Sequence, residues 1–313
     1  SFLSHRFTPG EFFSKLADAK IELKMDQDAF LGEILALSEK HQETEYGHSY
    51  WTDHWTYNLD LLENYLAVYP ENLRKIFMEN KRFTFFDNVH KVRPRADKYV
   101  VWEGHPMQLG AVFVDHEKEK QIKARHGSPY EVRTEHGQGG IYYTNLATKM
   151  ICLVVNKLAS LDPAGVGIEM ESDKPNWYDA LNGLPGQLGS SLSETLELKR
   201  SILFLLKTFG ELRLSDNEKW AIPVEIRGFM IRLHDLLQTY FSGRGAHRDF
   251  SFWDESATLK ESFRDQTWMG LSGREEMISV GWLKGFLSLA LEKINIGVRK
   301  AKRKDGNLST YFV

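Results

Sequence analysis

The chain has 313 residues and a mass of 36.2 kDa, long for one ordinary domain yet within reach of a single barrel with a large core. Forty basic against 43 acidic side chains give a formal charge of -3 and a pI near 6.4, which excludes a global field for nucleic acid or an anionic membrane. The single cysteine, Cys152, sits in the apolar run MICLVVNKL, which excludes a disulfide framework and a thiolate metal centre and reads as a small buried residue.

No apolar stretch approaches bilayer length, and the opening SFLSHRFTPG lacks the order of a signal peptide. The expectation is a soluble, cytoplasmic protein without a membrane or nucleic-acid partner. The start at Ser1 and the apolar close STYFV read as a piece of a longer chain, so accessory domains or a homo-oligomer are the expected further partners.

In chain order, DQDAFLGEILALSEKHQ predicts a helix with Asp26 or Asp28 as cap, and HWTYNLDLLENYLAVY predicts another that stops at Pro70. Pro70 suits the first turn of a helix over PENLRKIFMEN. TNLATKMICLVVNKLASL carries apolar residues around most of its circumference and predicts a deeply buried helix. A long loop, 162–190, follows; then Ser191 and Glu194 form an S-x-x-E capping box before SLSETLELKRSILFLLKTF. PVEIRGFMIRLHDLLQTYF, DESATLKESFRDQTWM and REEMISVGWLKGFLSLALEKINIGVRKAKRK complete a helical list, with the terminal basic run complementing a helix dipole. The alternation of outer and buried helices predicts an all-α fold, an (α/α)6 toroid-type helical barrel, incomplete in this chain, as one domain over residues 1–313.

Three constellations carry chemistry. In the long loop, ESDKPNWYDALNGLPG places Trp177 and Tyr178 between Asp173 and Asp179, with Asn182 and two tight-turn glycines close by. An aromatic wall beside a carboxylate holds a sugar ring and raises an acid's pKa; the plainer reading of Asp179 is a helix cap or an Asx turn. In the extended approach AGVGIEMESD, Val166, Ile168 and Met170 alternate with Glu169, Glu171 and Asp173, a carboxylate face or simply a solvated edge. Trp51, Asp53, His54, Trp55, Tyr57 and Asn58 in YGHSYWTDHWTYNLD read as sugar-stacking faces with in-plane hydroxyl partners, or as core and cap. No HxxxH or HxH spacing points to a metal. The third, EVRTEHGQGGIYYTN, places His136, Gly139 and Gly140 ahead of a helix, a candidate phosphate cradle or a simple turn.

Across roughly residues 40–210, GIEMESDKPNWYDALNGLPGQLGSSLSETLELKR with WTDHWTYNLDLLENYL upstream resembles bacterial glycoside phosphorylases of the cellobiose phosphorylase type. In that family the last aspartate of a D-W-N-D motif is the general acid; here the matching positions read Asn176, Trp177, Tyr178 and Asp179, so the tryptophan and the final aspartate match. Trehalases and debranching-type glucosidases share the barrel and a Trp-Asp step. The resemblance implies an oligosaccharide or disaccharide substrate, single displacement with inversion, Asp179 as acid, inorganic phosphate as co-substrate and no other cofactor. Two alternatives stand beside it. An inverting hydrolase would need a second carboxylate about 6.5–9.5 Å from Asp179, with Glu169, Glu171 or Asp53 as candidates. A non-catalytic carbohydrate-binding barrel would need neither.

Overall fold

The computed structural model describes residues 7–38, 53–169, 189–243, 245 and 247–312, with the side chains of residues 53–55 left aside. The chain falls into two compact units, one of residues 1–47 with 124–129, the other of residues 48–123 with 130–313.

The first unit holds two short helices. α1 (Pro9–Asp18) starts with a capping box: Glu11 N donates to Thr8 Oγ1 at 3.2 Å and Thr8 N donates to Glu11 Oε2 at 2.7 Å. α2 (Gln27–Ala36) is capped by Asp26, whose Oδ1 accepts from Asp28 N and Ala29 N. Buried Phe12 meets Phe7 and Phe30 at ring distances of 5.6 and 5.9 Å and forms this unit's apolar centre.

In the second unit, α3 (Asp53–Val68) is followed by a 3-10 turn at Pro70–Asn72 and a π-helical turn at Lys75–Glu79. PENLRKIFMEN is thus two short turns rather than one helix, and they deliver Phe77 into the core against Phe209 and Trp220. The centre is helical. α6 (Leu146–Leu158) packs on α7 (Leu192–Glu211) and α8 (Val224–Ser242); α8 pairs with α9 (Arg248–Thr267), and α10 (Val280–Ala301) lies on α7 and α8. Met150, Ile151, Val154, Val155 and Leu158 of α6 are all buried, as the all-round apolar pattern predicts.

The all-α toroid is overturned: the described residues are 57% helix and 15% strand, the strands lying in four small antiparallel sheets. The first two sheets are nested hairpins within residues 90–114. β1 (His90–Val92) pairs with β4 (Val112–Val114), and between them, after the one-turn α4 (Arg95–Lys98), β2 (Tyr99–Trp102) pairs with β3 (His105–Gln108). Glu103 and Gly104, at φ 50° and 83°, make the two-residue turn with both central residues left-handed, whose twist matches that of the strands. Helix α5 (His116–Lys123) follows β4. Arg95 fastens this region to α9, its N and Nε donating to Glu261 Oε1 and its Nη1 and Nη2 to Asp254 Oδ1 and Thr258 Oγ1.

A third sheet joins β5 (Ile168–Glu169), β6 (Ser190–Ser191) and β9 (Tyr311–Phe312). In the fourth, β7 (Lys219–Pro223) pairs over five residues with β8 (Glu275–Ser279), each strand running directly into a helix. The residues read from sequence as the start of a C-terminal helix therefore form β8, and Ser279, whose Oγ accepts from Trp282 N, caps α10. α7 begins where the S-x-x-E pattern places it, but without the box: Ser191 makes no side-chain cap, and Glu194 instead accepts from Lys157 Nζ at 3.2 Å. No helix among the described residues is long and apolar enough to cross a membrane.

Two glycines of α10 differ sharply in surroundings. A Cβ at Gly297 would lie 2.3 Å from Gly165 O, whereas one at Gly285 would meet nothing within 4 Å. Gly297→Ala should cost at least about 1–3 kcal/mol through overpacking against backbone, and Gly285→Ala should add about 0.5–1 kcal/mol by helix propensity. Urea unfolding of the two variants checks this pair, and equal effects would refute the close approach of α10 to the 162–167 turn.

Candidate functional site

Asp162 organises the approach to the long loop. Its buried carboxylate accepts from Val166 N at 2.9 Å, Gly167 N at 2.8 Å and Ser190 Oγ at 2.5 Å, so one side chain holds both the turn 162–167 and the first residue of β6. Glu169 N donates to Ser160 O at 2.7 Å, and Glu169 faces Ser190 across β5 and β6. The two residues that flank the segment 170–189 are thereby fixed side by side. Val166 and Ile168 are buried and Glu169 is half-buried, in keeping with the alternation read from sequence. Tyr99 OH donates to Glu169 Oε1 at 3.0 Å, and Gln108 Nε2 donates to Tyr99 OH, so the β2–β3 hairpin orients this carboxylate.

Below the turn lies a charged cluster. Lys293 of α10 is wholly buried, and its Nζ donates to Asp249 Oδ1 at 2.8 Å; Lys300 Nζ donates to Asp249 Oδ2 at 2.6 Å and to Ala164 O at 2.7 Å. The Lys293 ammonium also lies 4.5 Å from the Tyr240 ring centre and 5.2 Å from that of Phe252. Burial draws the Lys293 pKa below the ordinary lysine value, against the pull of Asp249. Burial pushes the Asp249 carboxyl up, but the bonds from Lys293 and Lys300 outweigh it and leave the pKa below the ordinary carboxylate value. Tyr240, desolvated and beside the Asp249 charge to which its hydroxyl donates, is pushed up to about 12. Gly165, at φ 67°, is required here: a Cβ would meet Lys293 Nζ at 2.3 Å and Asp249 Oδ1 at 2.5 Å.

Of the residues singled out from sequence, Glu171, Asp173, Trp177, Tyr178, Asp179 and Asn182, with Trp51, lie outside the described residues. Asp53, His54 and Trp55 form the first turn of α3, and their side chains lie outside the description. His136, Gly139 and Gly140 belong to a tight turn. The amides of Gly137 and Gly139 donate to Thr134 O, that of His136 to Leu271 O, and that of Gln138 to Glu135 O, while Thr134 N donates to Gly140 O. A Cβ at Gly139 would strike Thr134 Oγ1 at 2.3 Å. The amides of residues 136–139 are engaged within the fold, and the next helix, α6, has its own cap in Asn145, whose side chain accepts from Thr148 N. Gly139 is thus required by the turn, where a side chain would meet Thr134.

Sequence reasoning passed over Asp162, Asp249 and Lys293. A signal was there for two of them. Asp162-Pro163-Ala164-Gly165 is turn chemistry, and Lys293 falls in the buried stripe Leu283, Phe286, Leu287, Ala290, Ile294, Gly297, where a lysine demands a partner. Asp249 gave none, since it stands near the start of α9 like any first-turn acid.

A second feature is a cavity of about 200 Å³ where α5, α6, α8 and α9 meet the segment 85–88. Phe85, Phe86, Phe263 and Trp268 line it as walls, with Asp87, Asn88, Lys118 and Arg264 among its polar groups. Asp87 and Lys118, 2% and 3% exposed, form an ion pair. Cys152 also lines it; desolvation pushes its thiol up to about 12, the reverse of an activated nucleophile. Among the described residues no group of three or more His, Cys, Asp or Glu side chains could hold a metal ion. No model of a known family matches this chain, and no curated protein matches it in sequence.

Removing Asp249 should cost more than removing Lys293. Asp249→Asn leaves a wholly buried ammonium without its carboxylate and should cost about 3–5 kcal/mol, whereas Lys293→Met removes the buried charge while Asp249 keeps Lys300. Because the Asp249 pKa is depressed on folding, its contribution is complete above the ordinary aspartate value near ~3.9 and is lost as pH falls through the folded value. Unfolding curves collected from pH 7 downward should therefore show a shallower acid loss for Asp249→Asn than for the parent. Parallel pH profiles would exclude the depressed carboxyl.

Proposed function

We propose that this protein cleaves a glucoside by phosphorolysis with inversion, with Asp179 as general acid and inorganic phosphate as nucleophile. The observation that supports the reading is where the chain carries its densest chemistry: the segment ESDKPNWYDALNGLPG is inserted between Glu169 and Ser190, whose backbones pair across a two-residue ladder set on Asp162. Loops that bear chemistry work from rigid supports, and this one springs from a buried hydrogen-bonded base. The Trp177 to Asp179 step resembles the acid motif of cellobiose phosphorylase-type enzymes. A closed toroid forms no part of the proposal.

In this reaction Asp179 gives its proton to the glycosidic oxygen as the bond to the anomeric carbon breaks. A phosphate oxygen attacks that carbon from the opposite face and yields a sugar 1-phosphate of inverted configuration. No protein base is needed, because phosphate arrives as an anion. One observation favours a second reading, inverting hydrolysis: Glu169 is a carboxylate oriented by Tyr99 at the entrance to the same segment, where a base for water would be sought.

Phosphate release from α-glucose 1-phosphate with glucose or β-glucan acceptors separates the readings. Acceptor-dependent release should fall by about 10²–10⁴-fold in Asp179→Asn, with sugar binding retained. Glu169→Gln should leave phosphorolysis in place, whereas under hydrolysis it should abolish release of free sugar. Turnover retained by Asp179→Asn would remove Asp179 as the acid.

A further inference from the structure

We infer that the end of α10, the hairpin that follows it and the start of α9 form a surface that docks on an anionic lipid–water interface. Residues 299–305 carry five basic side chains and one acidic one, and all but the buried Ala301 are exposed. Lys300 is drawn inward by Asp249 at 2.6 Å, which leaves a local excess of three positive charges. Arg303 has Asp305 at 3.8 Å, but both side chains are more than half exposed and water screens the pair. Among the described residues, Arg299, Lys302 and Lys304 enter no ion pair.

The helix dipole accounts for only part of this run. α10 ends at Ala301, and the field of a helix terminus fades beyond its last turn, so Lys302, Arg303 and Lys304 lie past its reach. The carbonyls of Arg299 and Ala301 already accept from Lys302 N at 3.3 Å and Ser309 N at 3.1 Å, and need no side-chain cation. The three charges sit on ordered backbone. Lys302 pairs with Leu308 across a hairpin closed by Arg303 N to Asn307 O at 2.8 Å and Gly306 N to Arg303 O at 3.0 Å. The chain then enters β9, which pairs with β6, so docking requires no folding of a loose tail.

Two apolar side chains stand among the charges. Leu308, 42% exposed, lies opposite Lys302, a position that puts both side chains on one face of the hairpin. Phe250, 53% exposed, follows Asp249, the residue that holds Lys300. A lipid interface takes such groups into its acyl boundary while its headgroup charges meet the lysines and arginines. A single-stranded nucleic acid could stack on Phe250 but offers nothing to an aliphatic side chain, so Leu308 favours lipid. The whole-chain charge of -3 does not oppose this, because at physiological ionic strength charges beyond about 8 Å are largely screened and the interface meets the local excess.

The inference goes beyond the proposed cleavage and does not need it. Co-sedimentation of the whole chain with vesicles tests it, using phosphatidylcholine alone and phosphatidylcholine mixed with phosphatidylserine, with poly(U) RNA binding measured in parallel. The variants are Lys302→Gln with Lys304→Gln, Phe250→Ser with Leu308→Ser, Asp179→Asn, and Lys120→Gln with Lys123→Gln, which removes the same charge from α5. Circular dichroism melts establish that each is folded, and Leu308→Ser alone replaces the apolar pair if that pair is not. Binding to the phosphatidylserine vesicles and not to phosphatidylcholine alone supports the surface, provided it weakens at least about tenfold without Lys302 and Lys304 and at least about threefold without Phe250 and Leu308. It should be unchanged in the α5 pair and in Asp179→Asn. Absence of binding to the phosphatidylserine vesicles overturns the inference, as does equal weakening by the α5 pair, binding indifferent to Phe250 and Leu308, or binding lost in Asp179→Asn. Tighter binding of poly(U) than of the vesicles through the same two lysines also overturns it, and makes the surface a nucleic-acid contact instead.

Discussion

A lysine ammonium with no solvent around it needs a counter-charge within hydrogen-bond reach, and Lys293 finds one in Asp249. That requirement ties α10 to the start of α9. Through Lys300 and the close packing of Gly165 on Gly297 it also ties both helices to the turn 162–167. Asp162 then passes the constraint to β6, and β6 to α7, which starts at the next residue. Three helices and one loop base are thus connected through a few polar side chains in an otherwise apolar interior. A turn held in this way cannot drift relative to the core, because every displacement would unpair a buried charge.

Around this junction the strands act as launching points. β6, β7 and β8 each end where a helix begins, and the antiparallel β7–β8 ladder sets the starts of α8 and α10 at its two opposite ends. The nested hairpins of residues 90–114 are a separate layer, fastened to α9 by the five-donor fork of Arg95. From that layer Tyr99 reaches Glu169. The one carboxylate of the alternating edge that falls among the described residues is therefore positioned by two distant parts of the chain.

The proposed cleavage needs an acid and an approach path for a nucleophile, which a loop on a rigid base can supply.

Helix placement was legible in the sequence because burial on one face writes a 3.6-residue period: α6, α7 and α8 lie where that period predicts them, and Asp26 caps α2 as one of its two candidates. The strands were less legible. Five residues ahead of α10 continue a plausible helical pattern, and only pairing with Lys219–Pro223, more than fifty residues away, makes Glu275–Ser279 a strand. The hairpin at Glu103-Gly104 carried a local signal on one side only, the β-branched and aromatic run Tyr99–Trp102 ahead of a glycine turn, while its partner His105–Gln108 has no strand-like pattern of its own. The capping box at Ser191 failed for a tertiary reason, since Lys157 of a neighbouring helix competes for Glu194. By itself the sequence determined which segments are apolar and where α2, α6, α7 and α8 lie, because these follow from short-range sterics and hydrophobic period. Only the tertiary structure decided that Asp162, Asp249 and Lys293 meet around one turn and that the amide of His136 is engaged by Leu271, because partners for buried charges and amides are chosen in space, across separations that no local pattern records.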